Sequence, residues 1–156
     1  MLEALLIIGI VVVVQLWQTR GLPAGPAPAL AGTAIDGRPV SLDETVRAAN
    51  GKPVLVVFWG TWCPVCKAED GNIQSISADH PVLSVAMRSE NVARHMQERG
   101  LTFPAIDDPD GALAKTWNVS GVPSHFIVDG TGNVRFRVVG YATTWGLRIR
   151  LWFAGL

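Results

Sequence analysis

Pro53–Lys67 reads PVLVVFWGTWCPVCK, and this stretch decides the fold. From Pro53 to Trp59 it is a short, unbroken apolar run rich in β-branched side chains, the pattern of a strand buried on both faces, and such strands belong to α/β sheets. Pro64 then suits the first position of a helix, where a missing N–H removes no hydrogen bond. The helix is expected to continue to about Ala78, with Val65, Ile73 and Ile76 on its core-facing stripe and Pro81 marking its end.

The chain's two cysteines, Cys63 and Cys66, sit at this strand-to-helix junction. Cys63 stands at the helix N-terminus, where unpaired N–H groups and the positive end of the dipole favour a thiolate over a thiol. Cys66 shares its helical face, and the spacing puts the two Cα atoms within disulfide range. Two cysteines are too few for a disulfide-dense scaffold or a four-thiolate zinc site. A bond closing so short a loop also restrains the unfolded chain little, so chemistry is a better motive for the pair than stability.

Outward from this centre, Val82–Met87 reads as a second buried strand, and Ser89 as the cap of a helix that runs through Arg99 and stops at Gly100. Asp110–Trp117 reads as a short helix; Asp107, Asp108 and Asp110 fit capping better than a cation loop, because Pro109 interrupts them. Ser124–Val128 and Val134–Val139 form a hairpin about Asp129-Gly130-Thr131-Gly132. Thr143 or Thr144 is placed to cap a last helix carrying Trp145, Ile149, Trp152 and Phe153. Upstream, Asp36-Gly37 supplies a turn between Leu30–Ile35 and Pro39–Leu42, a small extra hairpin ahead of the main fold. His80 and His95 read as surface residues, whereas His125 lies two residues past Pro123, on the same face of a regular strand, from which it could approach the cysteines.

The N-terminus has a different character. Ala4–Val14 contains 11 apolar residues without a break, and Leu16 and Trp17 extend the run. Residues 2–17 would reach about 24 Å against a hydrocarbon core of about 30 Å, short for a full crossing. A secretory signal is the rival reading. Glu3 stands where a positive n-region belongs, and the cleavage-like Ala29-Leu30-Ala31 lies well past the run, so an uncleaved anchor over 1–20 is preferred, with a basic leader expected upstream. The Pro/Gly/Ala stretch 21–28 reads as a linker and 29–156 as the folded domain.

Composition narrows the function classes. Hydrophobic residues make up 49% and charged residues 17%, which excludes global disorder. Thirteen basic residues balance 13 acidic ones and are scattered without a run, so nucleic acid is not an expected partner.

The strand VLVVFWGTW, the motif WCPVCKAE, the segment WNVSGVPSHFIVDGTG and the following VRFRVVG, spanning Pro53–Gly140, together resemble the thioredoxin superfamily. Within it they are most similar to the membrane-tethered extracytoplasmic branch typified by TlpA, ResA and the suppressor-of-copper-sensitivity protein D. The resemblance implies an α/β thioredoxin fold, a mixed central sheet flanked by helices, and a thiol:disulfide oxidoreductase that uses no cofactor beyond its Cys63–Cys66 disulfide. It makes Cys63 the attacking and Cys66 the resolving cysteine, and Pro123 a cis-proline facing them. Beside Pro123, Val122 lines the groove for a substrate backbone. It matches Glu69 to an acidic residue thought to influence proton exchange of the thiols, gives Pro64 and Val65 a part in tuning thiolate stability, and places Trp62 over the thiols, as shield and partner contact or as packing. Where cytoplasmic thioredoxins carry a buried aspartate this chain has Val57, which argues against a thioredoxin proper.

The implied partners are protein thiols and disulfides, with a membrane electron donor of the DsbD type. The implied setting is a bacterial inner membrane, with a single-pass anchor and the catalytic domain in the periplasm or otherwise outside the cytoplasm. The branch favours a reductant, with a link to copper tolerance or cytochrome maturation. The alternatives are an oxidase or isomerase of the same fold, or a copper(I)-binding module built on the two thiolates.

Overall fold

The computed structural model describes residues 2–156. Helix α1 (Leu2–Gln18) leads to β1 (Gly25–Pro26), β2 (Ala31–Thr33), β3 (Pro39–Ser41) and α2 (Leu42–Ala48). A β-α-β-α-β run follows: β4 (Val54–Trp59), α3 (Pro64–Ser77), β5 (Val82–Met87), α4 (Val92–Arg99) and β6 (Ala105–Asp108). Helix α5 (Ala112–Thr116), β7 (Ser124–Val128), β8 (Asn133–Val139) and α6 (Thr144–Ala154) come last. Six strands make one mixed sheet in the order β1-β8-β7-β4-β5-β6, the architecture of a thioredoxin fold. The crossovers make β4, β5 and β6 parallel, while β7 and β8 return antiparallel.

All six residues of β4 are buried, and their two-residue alternation divides the core. Val54, Val56 and Phe58 face Leu42 and Val46 of α2 and Ala114 of α5. Leu55, Val57 and Trp59 face the opposite side, with Cys63, Cys66, Ile73 and Ile76, Met96 of α4, and Leu147 and Leu151 of α6. The cysteines therefore belong to the second face. Trp117 anchors the first, its ring centroid 5.6 Å from Phe58 and 4.9 Å from Phe126 and its indole N–H donating to Ala29 O at 3.3 Å.

Two expectations about the helices, those for Val65 and Ser89, need correction. Val65 is 42% exposed; the inward face of α3 is Cys66, Glu69, Asp70, Ile73 and Ile76, the set that a 3.6-residue period generates once Cys66 points inward. Ser89 does not cap α4, which begins after Asn91 with no side-chain cap. In α6, which Thr143 caps through Gly146 N–H at 3.1 Å, Leu147 and Leu151 are buried while Trp145, Ile149, Trp152 and Phe153 face outward.

Three elements have no counterpart in the sequence reading: β1, which falls in the stretch read as a linker, β6, whose pattern Pro104, Asp107 and Asp108 interrupt, and α2, whose cap is Ser41 Oγ accepting Glu44 N–H at 3.2 Å.

The N-terminal stretch wraps the sheet. Strands β2 and β3 pair antiparallel, Gly32 opposite Val40, and beyond them Ala34 bridges Ile106 of β6. The stretch 21–28 does not run free as a tether: Leu22 is buried, and β1 pairs with β8, Gly25 opposite Val134. In α1, the apolar side chains from Leu5 to Trp17 are largely solvent-facing, and Gln15 Nε2–H donates to Val139 O at 3.0 Å. Among the described residues, no helix is long and apolar enough to cross a membrane.

Candidate active site

The loop from Gly60 to Trp62 links the buried end of β4 to the cap of α3, and it is stitched to the far end of β5. Thr61 N–H donates to Ser89 Oγ at 3.0 Å, and Thr61 Oγ1–H donates to Glu90 O at 3.1 Å. Ser89 in turn donates to Met87 O, so the serine expected to cap a helix fixes this loop instead. Trp62 donates its indole N–H to the same carbonyl at 3.2 Å, while its ring stays 55% exposed. A Cβ on Gly60 would stand 2.7 Å from that indole nitrogen, so only glycine lets the ring lie there.

Cys63 is the N-cap of α3, with Pro64 as the first helical residue. Its sulfur accepts the Cys66 N–H at 3.1 Å, one of the donors that a helix N-terminus leaves unpaired. The two cysteines are joined by a disulfide, their Cα atoms 5.3 Å apart. Both are nearly buried, Cys63 at 3% exposure and Cys66 at 2%, so position on the helix rather than exposure separates them. On the opposite side the Val122–Pro123 peptide is cis, and Val122 O lies 3.8 Å from Cys63 Sγ. Trp62, Cys63, Cys66 and Val122 thus converge. Val65 stands outward at the helix start.

Further along the inward face of α3 lies a buried polar pair. Glu69, one turn after Cys66, is 2% exposed, and its Oε1 is 2.8 Å from Nε2 of His125, itself 1% exposed. Glu69 Oε2 accepts the Ala142 N–H at 2.9 Å, and His125 Nδ1 faces Val138 O at 3.3 Å. His125 sits opposite Val57 in the β4–β7 ladder and shares its face. The sequence put His125 on the strand face of Pro123, from which it could approach the cysteines. It gave no sign of the Glu69 contact, because the two residues come from elements 56 positions apart.

A second buried carboxylate, Asp70, meets the His95 ring at 3.2 Å and the Arg99 guanidinium. Arg99 also donates to Lys67 O at 2.6 Å, tying α4 to the start of α3. Burial pushes the Asp70 carboxyl above the ordinary carboxylate value, and the charges of His95 and Arg99 pull it down without offsetting burial. His95 is not a free surface residue: its ring packs against Trp59, centroids 5.3 Å apart. A groove of about 480 Å³ opens beside Trp62, lined among others by Thr61, Lys67, Arg88, Arg94 and His95. Asp108 is the capping aspartate, accepting N–H bonds from Leu113 and Ala114 at 3.1 and 3.0 Å. Among the described residues, no three His, Cys, Asp or Glu side chains gather as metal ligands.

Known proteins resemble this chain in sequence and in fold. The model of the AhpC/TSA family matches residues 23–137. The chain is 34% identical over 124 residues to a thioredoxin-like protein of Haemophilus influenzae, covering 77% of this chain and 72% of that one. It is 32% identical over 142 residues to the thiol:disulfide interchange protein DsbE of Escherichia coli, covering 80% and 76% respectively. Among solved structures, a thiol:disulfide interchange protein of the thioredoxin family from Chlorobium tepidum superposes with a TM-score of 0.74 at 25% identity, covering 85% of this chain and 97% of that one.

Proposed function

The chain belongs to the AhpC/TSA family and is a thiol:disulfide oxidoreductase, and from that premise we propose that it reduces disulfides of partner proteins outside the cytoplasm, with Cys63 as attacking and Cys66 as resolving sulfur. One observation carries the reading: the Cys63 sulfur occupies the N-cap of α3 and accepts the Cys66 N–H. An anionic sulfur there gains that hydrogen bond and the dipole of α3.

In the reduced enzyme the Cys63 thiolate attacks one sulfur of a partner disulfide. The Cys63–partner bond forms as the partner's S–S bond breaks, and a partner thiolate leaves. Cys66 passes its proton to Glu69 and attacks the Cys63 sulfur; the Cys63–Cys66 bond forms and the second partner thiolate leaves. Two electrons have passed to the partner, whose thiolates take up two protons. A membrane dithiol donor of the DsbD type then restores the enzyme. Trp62, Val122 and Pro123 border the path of the incoming sulfur, and Pro123, lacking an N–H, leaves backbone there open to an extended substrate. Pro64 and Val65 adjust the poise of the pair.

We place this chemistry at a bacterial inner membrane. The apolar side chains of α1, exposed along its length, call for an apolar medium, and α1 is the membrane-contacting segment. Membrane fractionation with an alkaline wash checks this, and a protein released entirely by buffer would refute it. For the chemistry, Cys63→Ser is expected to abolish reduction of insulin disulfides; retained activity would remove Cys63 from its role. A pair already reduced at mild glutathione ratios would reverse the net direction to oxidation.

A further inference from the structure

The Glu69–His125 contact allows a proton count. His125 Nδ1 faces a carbonyl oxygen, which only accepts, so Nδ1 carries hydrogen. Glu69 Oε2 already accepts the Ala142 N–H, so the 2.8 Å contact is between Oε1 and Nε2. A lone pair on both atoms at that distance would repel, so one proton lies between them. Either formulation, imidazolium with carboxylate or imidazole with carboxylic acid, leaves the pair without net charge.

That neutrality matters in its surroundings. Cys66 and Glu69 lie at i and i+3 on the inward face of α3, where helical side chains meet. Val57, Trp59, Ile127 and Ala142 are buried in the same apolar cluster as the cysteines. A carboxylate unpaired in such a setting is strongly disfavoured and gives up its charge. Already protonated, it would no longer serve as a base for a thiol proton.

We propose that His125 is a positioning residue for disulfide exchange: it holds Glu69 charged and oriented, so that the carboxylate can take the Cys66 proton during the resolving step. This rests on the proposed role of Glu69 and extends it to β7. The step balances. The proton moves from Cys66 Sγ to Glu69, and the imidazolium stays to offset the new Cys66 thiolate. When the Cys63–Cys66 bond forms, the departing thiolate of the partner takes the proton from Glu69, and the neutral pair is restored.

The test uses the reduced full-length protein and an aromatic disulfide, dithiobis-nitrobenzoate. Cys63 attack releases the first coloured thiolate and Cys66 resolution the second, so the steps appear as separate absorbance phases. His125→Gln and Glu69→Gln are each expected to slow the second phase at least about tenfold and leave the first nearly unchanged. Each is also expected to change the pH profile of the second phase in the same way, and the double variant to be no slower than either single one. In the unsubstituted protein, nitrogen NMR of His125 should show hydrogen on both ring nitrogens, a readout that requires no variant to fold.

Slowing by Glu69→Gln with an unchanged second phase in His125→Gln would overturn this inference alone. No effect of either variant would overturn the role of Glu69 as well. Absence of a second phase in the unsubstituted protein would overturn exchange through the pair altogether. A multiplied loss in the double variant, or an Nε2 without hydrogen facing a protonated Glu69, would equally overturn the proposal.

Discussion

Gly60 and Trp62 occupy one another's space: the indole lies where a Gly60 side chain would be, 2.7 Å from an ideal Cβ position. The ring is therefore held beside Cys63 from beneath by glycine and from the side by the carbonyl of Met87. Gly60→Ala is expected to push the indole off its seat and to cost about 1–3 kcal/mol of stability. Urea unfolding and the rate of insulin reduction would both register it. A variant with unaltered stability and rate would show that the ring's placement is incidental.

Cys66→Ser is expected to stall exchange after the first bond change, leaving Cys63 joined to its partner. Mass spectrometry of complexes isolated under acid quench would identify both. Adducts absent from Cys66→Ser yet present in Cys63→Ser would reverse the assignment of attacker and resolver.

Asp70 makes stability depend on pH in a stated direction. Its folded value lies above the ordinary carboxylate value, so the native protein binds this proton more readily than the unfolded chain. Stability from this group therefore falls as pH rises from near 3.8 through the raised folded value. Asp70→Asn removes the titration, and its stability curve is expected to be flatter across weakly acidic pH. Denaturant melts at several pH values would check it; a curve parallel to that of the native protein would contradict the assignment.

Trp117 is fully buried among aromatic rings on the face away from the cysteines. Trp117→Ala is expected to cost about 3–5 kcal/mol in denaturant melts while leaving the disulfide-exchange rate of the remaining folded protein near normal. A selective loss of exchange at intact stability would mean that the two cores are coupled more closely than their separation by the sheet implies.

The central strand, the helix after it and the cysteine pair were legible because each has a local signature: a continuous apolar run, proline at a helix start, and a fixed spacing. The hairpin around Asp129 was legible for the same reason. What stayed hidden depends on contacts between distant elements. Nothing near Glu69 in sequence shows that it is buried against His125, and nothing near Ser89 shows that its hydroxyl serves Thr61. Strand β6 was invisible because Pro104 and the aspartates break its apolar pattern, yet pairing with β5 holds it in place. Helix α2 had a readable signal, Ser41 three residues before Glu44, overlooked beside the stronger turn at Asp36-Gly37.

The stretch ahead of β4 also settles how other molecules can approach. With β1 laid along β8 and Ala34 and Ile35 bonded to β6, both rims of the sheet are guarded, and neither offers a long bare row of amides to a foreign strand. Under the proposed function, a disulfide-bearing client is then received over the loops around Trp62 and Val122. Trimming the chain to begin at Ala29 should leave the cysteines in place but unmask the β8 rim, and light scattering would detect the resulting self-association.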